Sequence, residues 1–149
     1  MKIYGYTGAF LELGIFYVIS KKIKNKNFMD MDSNISYYWL CFTILTGIWE
    51  LFYILNYKKV INMSNNLLKY NKHVWFKKYK INMILPWKLS HIFYSEYGAY
   101  ADREYMTNKE YWSRIIEGSH LTLCGYMSFF TLYYYYYKNY NNYYLYLGI

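Results

Sequence analysis

The stretch Tyr111–Tyr137, YWSRIIEGSHLTLCGYMSFFTLYYYYY, decides how the chain is read. It is long enough to cross a bilayer as a helix, for which about 20 mainly apolar residues suffice. Its first half carries Arg114, Glu117 and His120 at successive i,i+3 steps, which sets all three along one helical face. An ionisable group inside a span costs about 2.5–3.5 kcal/mol even on lenient insertion scales, so such groups turn towards partners or a water-filled cavity. The segment is therefore expected to have a lipid face, a polar face and neighbours that cover the polar face.

Two further apolar runs precede it. Residues 3–20, IYGYTGAFLELGIFYVIS, end at Lys21, Lys22, Lys24 and Lys26, with Glu12 near the middle. They lack the basic start and small-residue cleavage site of a signal peptide and read as a retained first span. Gly5, Gly8 and Gly14 would allow close helix contact there. Residues 37–56, YYWLCFTILTGIWELFYILN, form a second span, in which Glu50 beside Trp49 is the only ionisable side chain apart from its tyrosines and Cys41; Lys58 and Lys59 anchor its end. The link 21–36 reads as irregular, with Asp32 or Ser33 able to cap the second helix. Residues 57–110 form the largest non-spanning part, in which Trp75, Phe76, Ile84, Leu85 and Trp87 dip into a membrane surface and lysines meet headgroups. Pro86 breaks that part. Thr107 followed by Glu110 matches a capping box, which starts the third helix near Asn108. The tail after Lys138 is too short to span and reads as interfacial or as the start of a fourth helix.

The expected fold is thus an all-α integral membrane protein, a small transmembrane helix bundle of three spans with or without a partial fourth, in one domain over 1–149. The net charge of +8 would suit nucleic acid or an anionic surface, but no dense basic helix or nucleic-acid fold motif is present. The lysines sit between apolar stretches, as in loops flanking spans, so the partner is the lipid bilayer and not nucleic acid. The link 21–36 and residues 57–110 both carry lysines and would lie on opposite sides of the membrane, so the positive-inside rule assigns no orientation. The tyrosine and lysine abundance (24 Tyr) is what AT-rich codon usage would produce, and the tyrosine run is given no role. Cys41 and Cys124 both fall within spans and read as buried small apolar groups.

The chemistry rests on few residues. Glu117-Gly-Ser-His120 is a Glu-x-x-His step, but di-iron helices need two such steps and this chain has one. No metal and no cofactor is expected. Glu117 with His120 suits a proton donor and acceptor pair; the plainer reading is a polar clasp, with Arg114 snorkelling to the interface. Glu12 and Glu50 would add two carboxylates if they face Glu117, making a site for a cationic or proton-accepting ligand among aromatics. His73 and His91 have no motif around them and read as interfacial or loop residues.

The residues Glu96-Tyr97-Gly98-Ala99-Tyr100-Ala101-Asp102-Arg103-Glu104-Tyr105, followed by Glu117, resemble the emopamil-binding-protein group, or EXPERA domain, which includes the sterol Δ8–Δ7 isomerases. Tyr97, Asp102, Tyr105, Glu117 and Gly125 fall on that family's pattern W-x-E-Y-x-x-x-D-x-R-Y and the helix after it. Thr46-Gly47-Ile48-Trp49-Glu50 falls on its preceding T-G-x-x-H step. The likeness covers roughly residues 37–148. Two spacings are each one residue longer here, Glu50 stands where the family has His, Ile54 where it has a helix glutamate, and His120 where it has Thr. Only Glu117 of the family's catalytic set carries over by identity. The resemblance implies that an acid protonates a sterol double bond while carboxylates and aromatics stabilise the carbocation. On it, Glu117, His120 and Glu50 are the candidate catalytic residues, and Trp49, Asp102, Arg114, Tyr97 and Tyr105 the candidate ligand-binding residues.

Two functions stay open. One is a sterol-isomerase-like protein, catalytic or lapsed, that binds a sterol or another apolar ligand in the endoplasmic reticulum. The other is a small accessory subunit of a larger membrane complex, for instance a respiratory or ATP synthase assembly of the mitochondrial inner membrane. Three spans carrying charge look incomplete alone, which favours assembly. An enzyme should close its own cavity around Glu50 and Glu117, whereas a subunit would leave them open to a neighbour.

Overall fold

The computed structural model describes residues 1–28 and 34–138. The chain is mostly helical and all-α in class, apart from a two-stranded antiparallel ribbon. Strand β1 (Lys2–Tyr4) pairs with β2 (Lys78–Lys80), in the register Lys2↔Lys80, Ile3↔Tyr79 and Tyr4↔Lys78. Between them run α1 (Gly5–Asn27), α2 (Asn34–Leu55) and α3 (Tyr57–Lys69). After β2 come α4 (Pro86–Glu96), two π-helical turns (Tyr97–Ala101 and Glu104–Asn108), α5 (Glu110–His120), a third π turn (Leu121–Tyr126) and α6 (Met127–Tyr136).

Helix α2 is the central element and packs against α4, α5, the 121–126 turn and α6. Its close approach to the last of these is made at Gly47, where a Cβ would stand 3.3 Å from the Gly125 Cα, so two glycines meet backbone to backbone. Helix α3 buries Val60 and Ser64, one turn apart, against α4. Ser64 donates to the Ser95 carbonyl at 2.9 Å and Ser90 to the Trp49 carbonyl at 2.6 Å. Small hydroxyl side chains thus bring α3, α4 and α2 together while satisfying their own polar atoms. The buried core has three centres: Ile3, Val74, Met83, Leu89 and Ile92 under the ribbon; Phe28, Tyr37 and Cys41 at one end of α2; and Tyr53, Val60, Tyr94 and Met106 at the other.

Several expectations change. Residues 57–110 are largely folded into the bundle, and Pro86 begins a helix at its first position, where its missing N–H is an orphan anyway. Residues 2–4 are a strand. Helix α1 continues through Lys21, Lys22 and Lys24, where an irregular link was expected; the Lys24 ammonium turns back to the Phe28 carbonyl at 3.0 Å. The capping box does not form: α5 starts at Glu110 without a side-chain cap, and Thr107 donates instead to the Arg103 carbonyl at 2.7 Å. Gly5 and Gly8 are close-contact positions, against Val74 and Met83, whereas Gly14 faces open space. The Asp32 or Ser33 cap and the tail beyond Lys138 lie outside the described residues.

Against the three expected spans, one helix among the described residues, Asn34–Leu55, is long and apolar enough to cross a membrane. Helix α1 dilutes its apolar residues with Glu12, glycines and lysines. The expected third span is helical from 110 to 136 but is divided by the π turn and carries Arg114, Glu117 and His120 in its first half.

Candidate functional site

Glu50 is the pivot. It sits on the same face of α2 as Thr43, Thr46 and Gly47, at i,i+3/i+4 steps. Burial within this chain alone leaves it 4% exposed. Its Oε1 is bonded to His120 Nδ1 at the end of α5, and its Oε2 has no partner among the described residues. Helix α1 contributes Glu12, also 4% exposed. Trp49 Nε1 donates to Glu12 Oε1 at 3.0 Å, and Glu12 Oε2 is likewise unpartnered. A buried acceptor left unmatched costs about 1–3 kcal/mol, so two such oxygens are more than a packing detail.

Glu50 and His120 form part of the wall of a cavity of about 490 Å³ between α1, α2 and α4. The rest of the wall is mainly apolar and aromatic, including Trp39, Phe42, Trp49, Trp75 and Phe93, with Thr43, Thr46 and Tyr94 as further polar points. His120 is half exposed, so the polar end opens outward while Glu50 stays covered.

Glu117 stands one hydrogen bond behind the wall. Its two oxygens accept from Tyr94 Oη at 2.9 Å and Tyr105 Oη at 3.1 Å. Burial, and then the neighbouring Glu117 carboxylate, raise both phenols above their ordinary range, so both remain donors. Tyr94 stacks on Tyr53, ring centroids 4.5 Å apart, and Tyr53 in turn is hydrogen-bonded to Ser113. The arrangement is a polar relay from α5 across α4 to the cavity.

The candidate residues therefore divide. Glu50, His120 and Trp49 meet at the cavity. Glu117 and Tyr105 are joined to each other and reach it through Tyr94. Arg114 is not at Glu117: its guanidinium lies 4.1 Å from the Tyr57 ring centroid and pairs with Glu110 at 3.8 Å. Asp102 accepts the Tyr105 backbone N–H at 2.9 Å, closing its own turn, and Tyr97 is a partly exposed residue of the preceding π turn; neither lines the cavity. The three-carboxylate cluster is two linked positions, Glu12 through Trp49 and Glu50 directly, with Glu117 set apart by Tyr94.

Nothing in the local pattern of Tyr94 and Phe93 marks them as wall residues, and Trp75, expected to dip into a membrane surface, is half-buried and lines the cavity. Thr43 and Thr46 could have been found, because with Glu50 they make one polar line down an otherwise apolar helix. His73 is no loose loop residue: its Nδ1 lies 2.5 Å from Glu96 Oε1, its ring stacks on Tyr100 at 4.1 Å, and Glu96 Oε2 accepts the Val74 N–H at 3.0 Å. This clasp pins the loop that carries Trp75 onto α4.

No protein-family model, curated protein or solved structure matches the chain.

Proposed function

We propose that this chain is an EXPERA-like integral membrane protein whose cavity binds an apolar, sterol-like ligand, with a basic or hydrogen-bond-donating group of that ligand set against Glu50. The observation that carries the reading is Glu50 itself: covered by its own chain, on a cavity wall, with one oxygen held by His120 and the other unmatched. A volume of about 490 Å³ suits a small-molecule site, which typically spans about 300–1,000 Å³ with apolar walls and a few placed polar groups. A subunit that borrowed its partner for shielding would leave Glu12 and Glu50 open; both are covered without one. Glu50 and His120, two of the positions at which the chain departs from the EXPERA pattern, are bonded to each other. Glu117, the shared glutamate, acts through the Tyr94 hydroxyl as a positioning residue. Large exposed apolar side chains along α1, α2 and the 110–136 rod, among them Phe10, Val18, Trp39, Trp112, Leu123 and Phe129, suit lipid as the surrounding medium.

The test is ligand-induced stabilisation of the detergent-extracted protein by a sterol and by a lipophilic tertiary amine. The amine is expected to raise the melting temperature, with about tenfold weaker apparent affinity in Glu50→Gln, as befits loss of a charge-assisted contact. Equal response of wild type and variant overturns the assignment of Glu50. Native migration in a large assembly of fixed stoichiometry, with no ligand response, overturns the binding reading in favour of an accessory subunit.

A further inference from the structure

A second cavity, of about 260 Å³, lies on another part of the molecule, where α3, the β2 strand with the turn after it, and α4 meet. Its wall has the opposite character from the first. Lys59 comes from α3, Lys80 from β2, and Lys88 and His91 from α4, with the Asn82 amide and the Tyr79 phenol between them. No Asp or Glu lines it. None of the three lysines has a carboxylate partner among the described residues. The antiparallel register adds Lys2 opposite Lys80.

Like charges converging from three separate elements repel one another, so the arrangement is costly unless something anionic offsets it. The chain holds one of them in place: Lys59 Nζ lies 3.4 Å from His91 Nδ1, so the ammonium donates to an imidazole nitrogen that must be unprotonated to accept. Burial, and then the Lys59 charge, hold His91 below its ordinary pKa, consistent with a neutral ring in that role. Tyr79 is pushed up to about 12, first by burial, and keeps its proton. Every titratable side chain on the wall is therefore a cation, a neutral donor or the imidazole that orients one.

We propose that Lys59, Lys80 and Lys88 form a binding site for a phosphate group, with His91 positioning the Lys59 ammonium. Lysine binds phosphate as a point charge, and three of them around a small cavity supply the divalent anion with several charge-assisted hydrogen bonds. The phosphate could be free or could be the headgroup of a lipid. Ile81 and Trp87, both exposed, flank the lysines in sequence and would meet acyl chains in the second case.

The experiment uses the full chain in a mild non-ionic detergent, with inorganic phosphate against chloride of equal ionic strength, read as melting-temperature shift. It is paired with flotation on phosphatidylcholine vesicles carrying phosphatidic acid or, at matched surface charge, phosphatidylserine. Wild type is compared with Lys59→Gln/Lys80→Gln/Lys88→Gln and with Lys69→Gln/Lys72→Gln/Lys77→Gln, which removes the same charge away from the cavity. A phosphate-specific shift weakened about tenfold or more in the cavity triple, and kept in the control triple, supports the site with free phosphate as ligand. Preference for phosphatidic acid over phosphatidylserine, lost in the same triple alone, supports it with the headgroup as ligand. Equal response to both lipids and to chloride, or equal loss in both triples, overturns it, because diffuse charge would then be the whole effect. The Lys59 and Lys80 side chains are exposed, so the cavity triple is expected to fold.

Discussion

Replacing Tyr94 by Phe removes one oxygen and leaves the ring in place, stacked on Tyr53 within a buried cluster. What is lost is the 2.9 Å bond to Glu117 Oε2, after which only Tyr105 supports that carboxylate. A hydrogen bond to a charged acceptor is worth about 1.5–3 kcal/mol, and the exchange also removes a buried hydroxyl that needed a partner, so the net cost is expected near 1–2 kcal/mol. Tyr105→Phe loses the longer 3.1 Å bond to Glu117 together with the 3.4 Å contact to the Ser113 carbonyl. It does so from a half-buried position that water can reach, and should cost no more than Tyr94→Phe. The informative measurement is a double-mutant cycle between Tyr94→Phe and Glu117→Gln, by unfolding in mixed micelles followed through tryptophan fluorescence. A shared bond predicts a coupling of about 0.5–3 kcal/mol, as for groups in direct contact. Additivity within about 0.3 kcal/mol, or a Tyr94→Phe variant as stable as wild type, would refute the relay from α5 to the cavity wall.

Three other outcomes are expected. Gly5→Ala places a Cβ 2.3 Å from the Val74 carbonyl oxygen, a backbone atom that cannot swing away, so it should destabilise by about 1–3 kcal/mol in thermal unfolding, while Gly14→Ala should not destabilise. Glu96→Gln keeps an acceptor for the Val74 N–H but loses the charge facing His73, and should cost about 1–2 kcal/mol, with protease cutting in the 70–77 loop as a sensitive readout. His91, facing Lys59, Lys80, Lys88 and Tyr79, has its folded pKa below the ordinary 6.5 through burial and then the Lys59 charge. The unfolded chain then binds more protons as acid is added, so this stabilisation is complete above 6.5 and is lost as the pH falls from there towards the folded value. His91→Gln should flatten that limb of the stability curve; an unchanged slope would exclude His91 as its source.

The long helices were legible because their period and length are local properties. Thr43, Thr46 and Glu50 mark one face of α2 by spacing alone, and Arg114, Glu117 and His120 mark one face of the 110–136 rod. Their partners were not legible, because partners are set by packing. Arg114 goes to Glu110 and Tyr57, and His120 goes to Glu50, seventy positions earlier in the chain. The ribbon was missed because three-residue strands carry no usable alternation, and Ile3 sits at the head of an apolar run that reads as helix. The capping box at Thr107 failed for a related reason: the hydroxyl had a closer acceptor in the Arg103 carbonyl, and a local motif cannot show that competition. Residues 57–110 misled through composition, since lysine and aromatic density hides the small serines that weld α3 to α4.

The π turn at 121–126 has a geometric consequence for the whole C-terminal rod. In an unbroken α-helix, successive residues advance by about 100°, so His120 and Gly125 would point some 140° apart and could not both confront α2. A π turn winds more slowly, carrying an extra residue in its loop. It re-phases the rod between those two residues, and one straight neighbour can meet a charged contact at Glu50 and a bare-backbone contact at Gly47, within a single turn of its own length. The rod works as a two-tooth key whose teeth are set by that one widened turn. Removing one residue between 121 and 124 would let the turn relax to plain α-helix with the two contact positions four residues and about 40° apart. Both are then expected to stay seated against α2 without the widened turn.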